Sequence, residues 1–289
     1  MKKVAFLVNP TSGVNKHLDR VEMIRSFCPP SLSYDILLWE KRDQKDELFR
    51  KALQGDYEII AAVGGDGTVN AMASALSGTS KTLAIIPLGS GNGLARHLEI
   101  PLDTKKAIQL LETGRTRSID TCCLNQKTFF CTAGVGFDAH IGKLFAESRK
   151  RGMSTYAAMT IRELFTYKPQ TYRITVDGVS SEHKAFLIAF ANAAQYGGNA
   201  FIAPMADIAD GLIDVSIVSP FPVIRGFPLA YRLFTKNIHN SPLVRTLRGK
   251  HIILERVNPG PVHYDGEPDV MGDKLEITIL PSSLRVLTP

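Results

Sequence analysis

Gly64-Gly65-Asp66-Gly67-Thr68-Val69-Asn70 follows directly on the largely apolar run at 57–63. Three glycines around one aspartate at the end of a buried strand, with a helix opening over residues 68–73, can do chemistry. Such a turn lets backbone N–H groups approach an anion closely, and the helix start adds its partial positive charge. Gly64, Gly65 and Gly67 can take backbone angles closed to other residues. Asp66 has no basic neighbour in sequence, and a carboxylate beside a phosphate cradle orients a metal or accepts a proton from a hydroxyl. A tight β–α turn with a capping Asp or Thr would use the same residues, so both readings stand at this point.

Two further loops carry the same character. Asn9-Pro10-Thr11-Ser12-Gly13 follows a short apolar run at 4–8, and its Ser12 and Gly13 N–H groups are natural donors. Pro87-Leu88-Gly89-Ser90-Gly91-Asn92-Gly93 follows another at 83–86, with the Ser90 hydroxyl and Asn92 amide at a helix start. To bring three loops to one edge the strands at 4–8, 34–39, 59–63 and 83–86 must alternate with helices such as 17–27 and 46–53. That alternation predicts a mostly parallel α/β sheet, whose ligands bind at the carboxyl ends of its strands. After about residue 118 the texture becomes β-rich and antiparallel. Strands are expected at 118–125, 127–132, 172–176, 185–194, 212–218, 251–255 and 274–280, with helices at 152–167 and 222–236. Residues 1–118 therefore read as an α/β nucleotide-binding domain and 119–289 as a β-rich second domain.

The 289 residues are 44% hydrophobic and 21% charged, which excludes a disordered chain. With 34 basic against 28 acidic residues the net charge is +6. That modest, dispersed excess suits an anionic nucleotide or membrane surface and not a nucleic acid. Cys28, Cys122, Cys123 and Cys131 show no metal spacing and read as reduced, buried cysteines. No secretory signal is visible, and no stretch reaches the roughly 18–20 apolar residues of a bilayer span. A cytoplasmic protein that meets lipid from the aqueous side is expected.

In order and spacing, Asn9-Pro-Thr-Ser-Gly13, Gly64-Gly-Asp-Gly-Thr68 and Pro87-Leu-Gly-Ser-Gly-Asn92 resemble the diacylglycerol kinase catalytic-domain superfamily. Gly134-Val-Gly-Phe-Asp138, Asp210-Gly-Leu-Ile-Asp214 and Asp265-Gly-Glu267 extend the resemblance across essentially the whole chain. The Gly64–Thr68 pattern alone is shared with NAD kinases and phosphofructokinases, but the set of six is specific. The resemblance implies a nucleotide-binding α/β domain, a C-terminal β-sandwich lipid-substrate domain, and ATP with Mg2+ as cofactors. Asn9, Pro10, Thr11, Ser12, Gly13, Gly64, Gly65, Asp66, Gly67, Thr68, Val69, Asn70 and Ser90 would contact the nucleotide. Asp66 would sit where the acceptor hydroxyl meets the γ-phosphate, and Glu267 matches the proposed proton acceptor of bacterial lipid kinases. Asp265 beside it would be a metal or phosphate partner. Asp207, Asp210 and the Leu212 backbone match a second Mg2+ site, Asp120 a hydrogen-bonding link from it, and Asp138 the head-group position of sphingosine kinases.

Arg149-Lys150-Arg151 reads as an anion-holding cluster or a solvated run. Two departures stand out. Trp39 occupies a position where relatives often have an ATP-contacting Thr, and it either stacks on adenine or packs. Val14 stands where relatives often carry Lys, with Lys16 two residues later. The implied activity is an ATP- and Mg2+-dependent lipid kinase acting on a primary hydroxyl of a diacylglycerol-like or sphingoid lipid, peripherally attached to the membrane and able to be a homodimer. The alternatives are a kinase of a soluble substrate such as NAD, or a catalytically inactive nucleotide- or lipid-binding regulator.

Overall fold

The computed structural model describes residues 3–9, 19–39, 44–148 and 152–289. The chain divides into two compact units, Met1–Thr121 with Pro281–Pro289, and Cys122–Leu280.

The first unit alternates strand and helix. In chain order these are β1 (Lys3–Val8), α1 (Arg20–Phe27), β2 (Ser33–Leu38), α2 (Lys45–Gln54), β3 (Ile59–Gly64), α3 (Asp66–Leu76) and β4 (Thr82–Pro87). The short α4 (Gly93–His97) and α5 (Thr104–Thr113) follow, then β5 (Arg115–Leu124), which leads into the second unit. β1 pairs in parallel with β2 and β3, and β3 in parallel with β4. Every residue of β3 and β4 is buried. Continuous burial is what a parallel strand covered on both faces requires, and it explains the unbroken Ile-Ile-Ala-Ala-Val and Thr-Leu-Ala-Ile-Ile runs.

The second unit contains β6 (Lys127–Phe129), β7 (Thr132–Gly136), α6 (Phe137–Glu147), α7 (Met153–Leu164), β8 (Gln170–Val176), β9 (Val179–Ala185), β10 (Leu187–Ala191) and β11 (Ile213–Val218). It continues through α8 (Gly226–Phe234), β12 (Val244–Gly249), β13 (His251–Arg256), β14 (Gly260–Tyr264), β15 (Glu267–Met271) and β16 (Lys274–Thr288). One sheet runs β12-β11-β10-β7-β14-β15 and is antiparallel. The other pairs the first part of β16 with β13, β13 with β8, and β8 with β9, also antiparallel. Ile188 and Phe190 of β10 join Ile174, Leu254 and Ile277 in a core between the two sheets. Ala189 and Ala191, on the opposite face, join Phe137, Phe186 and Val218 beneath α6–α8. The period-2 alternation of one strand thus serves two cores in a β-sandwich.

Three departures from the sequence reading have physical causes. The run at 185–194 is not one strand. Ala185 pairs with Gln170 in one sheet and Leu187 with Val218 and Gly136 in the other, so the chain changes sheets at Phe186. The run at 127–132 breaks because the Phe130 and Cys131 N–H groups donate to the Asp265 carboxylate instead of a ladder. The third concerns the division at 118, which assigns the C-terminus to the second domain. β16 is 15 residues long, and its end returns Arg285 and Val286 to parallel pairing with Thr82 and Leu83 in the first unit.

Candidate active site

In the first unit, backbone geometry dominates the loops at the carboxyl ends of β3 and β4. Gly65 caps α3 from an extended conformation, so the glycine-rich turn opens a helix as the sequence suggests. Helix starts carry N–H groups without intrahelical partners, the kind of end that suits an anion. The turn at 64–67 and the loop at 87–93 meet backbone to backbone. A Cβ on Gly89 would lie 2.8 Å from the Gly65 Cα, and one on Gly91 would lie 2.7 Å from an Asp66 oxygen. At 89 a side chain would press on the Gly65 backbone, and at 91 it would displace the Asp66 carboxylate. The Leu88 N–H donates to the Gly64 carbonyl at 2.8 Å, and the Asn9 side chain donates to the Thr68 hydroxyl at 3.3 Å.

The Asp66 carboxylate occupies the centre of this junction. One oxygen accepts from the Asn92 N–H at 2.8 Å and the other from the Gly93 N–H at 2.7 Å. Asp66 is thus a cap, though of the neighbouring helix α4 and not of its own. Asn92 sits at φ 52° and closes the loop on itself, accepting from the Gly89 N–H and donating to the Gly89 carbonyl. Ser90 at the tip is exposed. A cavity of about 300 Å³ opens beside this loop, lined by Ser90 and Asn92 and by the guanidinium-bearing Arg20 and Arg96. Arg20 donates to the Asn9 carbonyl and Arg96 to the Gly91 carbonyl, so both cations brace loop backbones. Trp39 packs edge-on against Phe49 of α2, with ring centroids 5.8 Å apart. Asp120, fully buried on β5, accepts from the Ser282 N–H at 2.7 Å. Pro10, Thr11, Ser12, Gly13, Val14, Lys16 and the run Arg149-Lys150-Arg151 lie outside the described residues.

In the second unit the work falls to side chains. Asp265 and Gly266, at φ 47° and 83°, form the two-residue turn between β14 and β15, and Tyr264 pairs with Glu267 across it. Asp-Gly is the pair that a type I′ hairpin turn favours. The Asp265 carboxylate folds beneath the turn and accepts from the N–H groups of Phe130, Cys131 and Thr132 at 2.7–3.0 Å. Burial pushes its pKa up, against the downward pull of those three donors. Glu267, by contrast, is exposed at the head of β15. Arg256 fastens the open end of the same hairpin, donating to the carbonyls of Gly260, Pro261, Met271 and Gly272. The hairpin that presents Glu267 is therefore fixed at both ends.

Asp138 stands in the first turn of α6, where the helix dipole favours a negative charge. One of its oxygens accepts from the Tyr196 hydroxyl at 2.9 Å and from the His263 Nε2–H at 2.8 Å. A Cβ on Gly134 would fall 2.7 Å from the His263 ring nitrogen and 2.9 Å from Asp138, so this glycine makes room for the pair. Burial, with Asp138 adding to it, holds the Tyr196 phenol well above its ordinary pKa. Sequence reasoning singled out neither Tyr196 nor His263, although His263 lies two residues before Asp265.

Asp207, Asp210 and Leu212, which the resemblance assigns to a second Mg2+ site, lie on one turn, where the Asp210 N–H donates to the Asp207 carbonyl at 3.4 Å. Asp210 accepts from the Leu212 N–H at 3.0 Å and is paired with the Arg248 guanidinium, which also reaches Asp214 at 3.2 Å. Asp207 accepts from the Ala209 N–H at 3.1 Å. No group of three or more His, Cys, Asp or Glu side chains suited to a metal occurs among the described residues.

Comparison with known proteins agrees with this architecture. Residues 3–124 match the family described as the diacylglycerol kinase catalytic domain, and 131–288 match the YegS C-terminal NAD kinase beta sandwich-like domain. A Klebsiella pneumoniae protein named "Probable lipid kinase YegS-like" is 32% identical over 260 residues, covering 87% of this chain and 84% of its own length. A Mycobacterium tuberculosis protein named "Diacylglycerol kinase" is 30% identical over 256 residues, covering 84% of this chain and 80% of its own. The crystal structure of a diacylglycerol kinase from Bacillus anthracis shares the fold, with a TM-score of 0.76 at 21% identity over the whole of this chain and 97% of that one.

Proposed function

This chain belongs to the diacylglycerol kinase catalytic-domain family, and from that premise we propose that it is an ATP- and Mg2+-dependent lipid kinase acting on a primary hydroxyl of a diacylglycerol-like or sphingoid lipid. The observation that carries the reading is the backbone junction of the 64–67 and 87–93 loops, where a Cβ at 89 would press on Gly65 and one at 91 on the Asp66 carboxylate. An anion cradle made of backbone suits a triphosphate and has little use in a protein that binds lipid alone. The relatives named as lipid and diacylglycerol kinases favour a lipid acceptor over NAD.

When bound, ATP with Mg2+ supplies the γ-phosphoryl group and neutralises the charge that builds during its transfer. The chain's own part is positioning and proton handling. Asn9, Gly64, Gly65, Gly67, Thr68, Val69, Asn70 and Ser90, with Pro10, Thr11, Ser12 and Gly13, hold the phosphates. Asp66 acts by fixing the two loops, because both of its oxygens are engaged by the Asn92 and Gly93 N–H groups. Glu267 is exposed at the head of β15, and it takes the proton from the acceptor hydroxyl. Asp265 holds the turn that presents Glu267. Asp138, held by Tyr196 and His263, receives a hydroxyl or amine of the lipid head group. Asp120 braces β5 against the final strand, and Asp207, Asp210 and the Leu212 backbone would hold a second Mg2+.

Transfer of labelled phosphate from ATP to a panel of diacylglycerol, ceramide and sphingoid lipids in mixed micelles tests this reading. Phosphorylation of one class at its primary hydroxyl is expected. Absence of label from every lipid, with ATP bound, would refute it.

A further inference from the structure

No helix among the described residues is long and apolar enough to cross a membrane, so a kinase of membrane lipid must meet its substrate by docking. We propose that the outer face of α8, with the short 3-10 turn at Val223–Arg225 before it, is the surface that docks on a bilayer containing anionic phospholipid. The proposal rests on the lipid-kinase reading for its purpose, but its evidence is independent of that reading.

Ile224, Phe227, Tyr231 and Phe234 are 77%, 76%, 72% and 57% exposed. At about 100° per residue they fall within an arc of roughly 80°. Leu229 and Leu233 point the other way, into the cluster that holds Phe137, Phe186 and Phe221. α8 is thus amphipathic in an inverted sense: one apolar stripe packs on the sandwich and a second, more aromatic one faces solvent. No residue of α8 is fully buried. The end of α7 adds to the same region, because its Leu164 would lie 3.8 Å from a Cβ on Gly226. Ile161 and Phe165 of that segment are 61% and 69% exposed. A run of large apolar side chains held open in this way marks an interaction surface.

Charge selects the occupant. Residues 215–254 contain no Asp or Glu, yet include Arg225, Arg232, Lys236, Arg245 and Lys250 besides Arg248, which is paired with Asp210 and Asp214. Arg225 and Arg232 lie along one flank of the exposed stripe, and Lys236 closes its end with its ammonium 4.5 Å from the Phe201 ring. An apolar stripe with Phe and Tyr, flanked by Arg225, Arg232 and Lys236, matches the interfacial zone of an anionic leaflet. A second copy of this chain is disfavoured as occupant, since self-pairing would set Arg225, Arg232 and Lys236 against their own duplicates.

The test uses the whole protein and vesicles without substrate, either phosphatidylcholine alone or phosphatidylcholine with one third phosphatidylglycerol. Co-sedimentation is expected with the anionic vesicles. The double variant Phe227→Ser/Phe234→Ser should weaken partitioning by at least about tenfold. Arg225→Gln/Arg232→Gln should abolish the preference for anionic vesicles and its sensitivity to salt. Both variants should keep the wild-type melting temperature and wild-type transfer to micelle-dispersed lipid. Undiminished vesicle binding by the aromatic variant would overturn the proposal. A wild-type dimer in sedimentation that the same variant dissolves would also overturn it, by assigning the face to a second copy. Vesicle binding without phosphate transfer to any lipid would refute the kinase reading and leave the docking face standing.

Discussion

The glycine loops of the first unit and the Glu267 hairpin of the second solve the same problem, rigid presentation of polar groups, by opposite means. In the first, backbones touch: a Cβ at 89 would lie 2.8 Å from the Gly65 Cα, and one at 91 would lie 2.7 Å from the Asp66 carboxylate that ties the loops. Side chains there act as ties between loops. In the second, the backbone is ordinary hairpin, and placement depends on buried charges, Asp265 beneath the turn and Arg256 across its base. A site made of backbone tolerates few residue types, whereas a site made of clamped side chains fails when any one clamp is removed.

The largest effect should come from the exposed carboxylate of the second region. Glu267→Gln is expected to lower turnover by about 10²–10⁴-fold, the scale of a lost proton acceptor, with ATP affinity retained. Stopped turnover with unchanged nucleotide titration would separate the two regions cleanly, and near-normal turnover would move the proton acceptor elsewhere. In the first region Asp66→Asn places an NH2 group where two N–H donors converge. Leaving one of them unpaired should weaken ATP binding and turnover together, about tenfold to a hundredfold. Loss of turnover alone would instead make Asp66 a group that meets the reacting atoms.

Stability effects sharpen the contrast. Arg256→Met removes a buried cation that satisfies four carbonyls and should cost about 2–4 kcal/mol in urea melts. Gly89→Ala should cost about 1–3 kcal/mol through overpacking against Gly65, and should raise the KM for ATP before it raises that for lipid. The smallest effect is electrostatic. Burial raises the pKa of Asp214 above its ordinary 3.8, with Arg248 pulling it down in part. The folded state therefore holds that proton to higher pH than the unfolded chain. Folding stability should fall as pH rises from about 3.8 through the raised value. Asp214→Asn should flatten that slope in melts between pH 4 and 7.

The sequence was legible where function is contiguous. Each glycine loop is one short stretch after an apolar run, so the parallel sheet and the edge carrying its loops follow from the pattern of residues 4–93. The Asp66 partners are 26 and 27 residues away, and the alternative of a capping aspartate turned out to concern a different helix. In the second unit the separations are far larger. His263 meets Asp138 across 125 residues, and Asp265 meets Phe130 across 135. No spacing rule reaches that far, so Tyr196, His263, Arg248 and Arg256 went unread. Helix α6 was missed because Gly134 and Gly136 precede it and suggest a loop. One of them instead makes room for the His263–Asp138 pair, and the other lets the chain turn at φ 102°.

The central claim is that phosphate moves from ATP to a lipid hydroxyl. It is tested most directly by incubating the protein with labelled ATP, NAD and diacylglycerol-containing anionic vesicles together, then partitioning the products between chloroform and water. Label in a chloroform-soluble phospholipid, lost with Glu267→Gln, is the predicted result. Label confined to the aqueous phase as phosphorylated NAD, or equal lipid labelling by Glu267→Gln and wild type, would contradict the account.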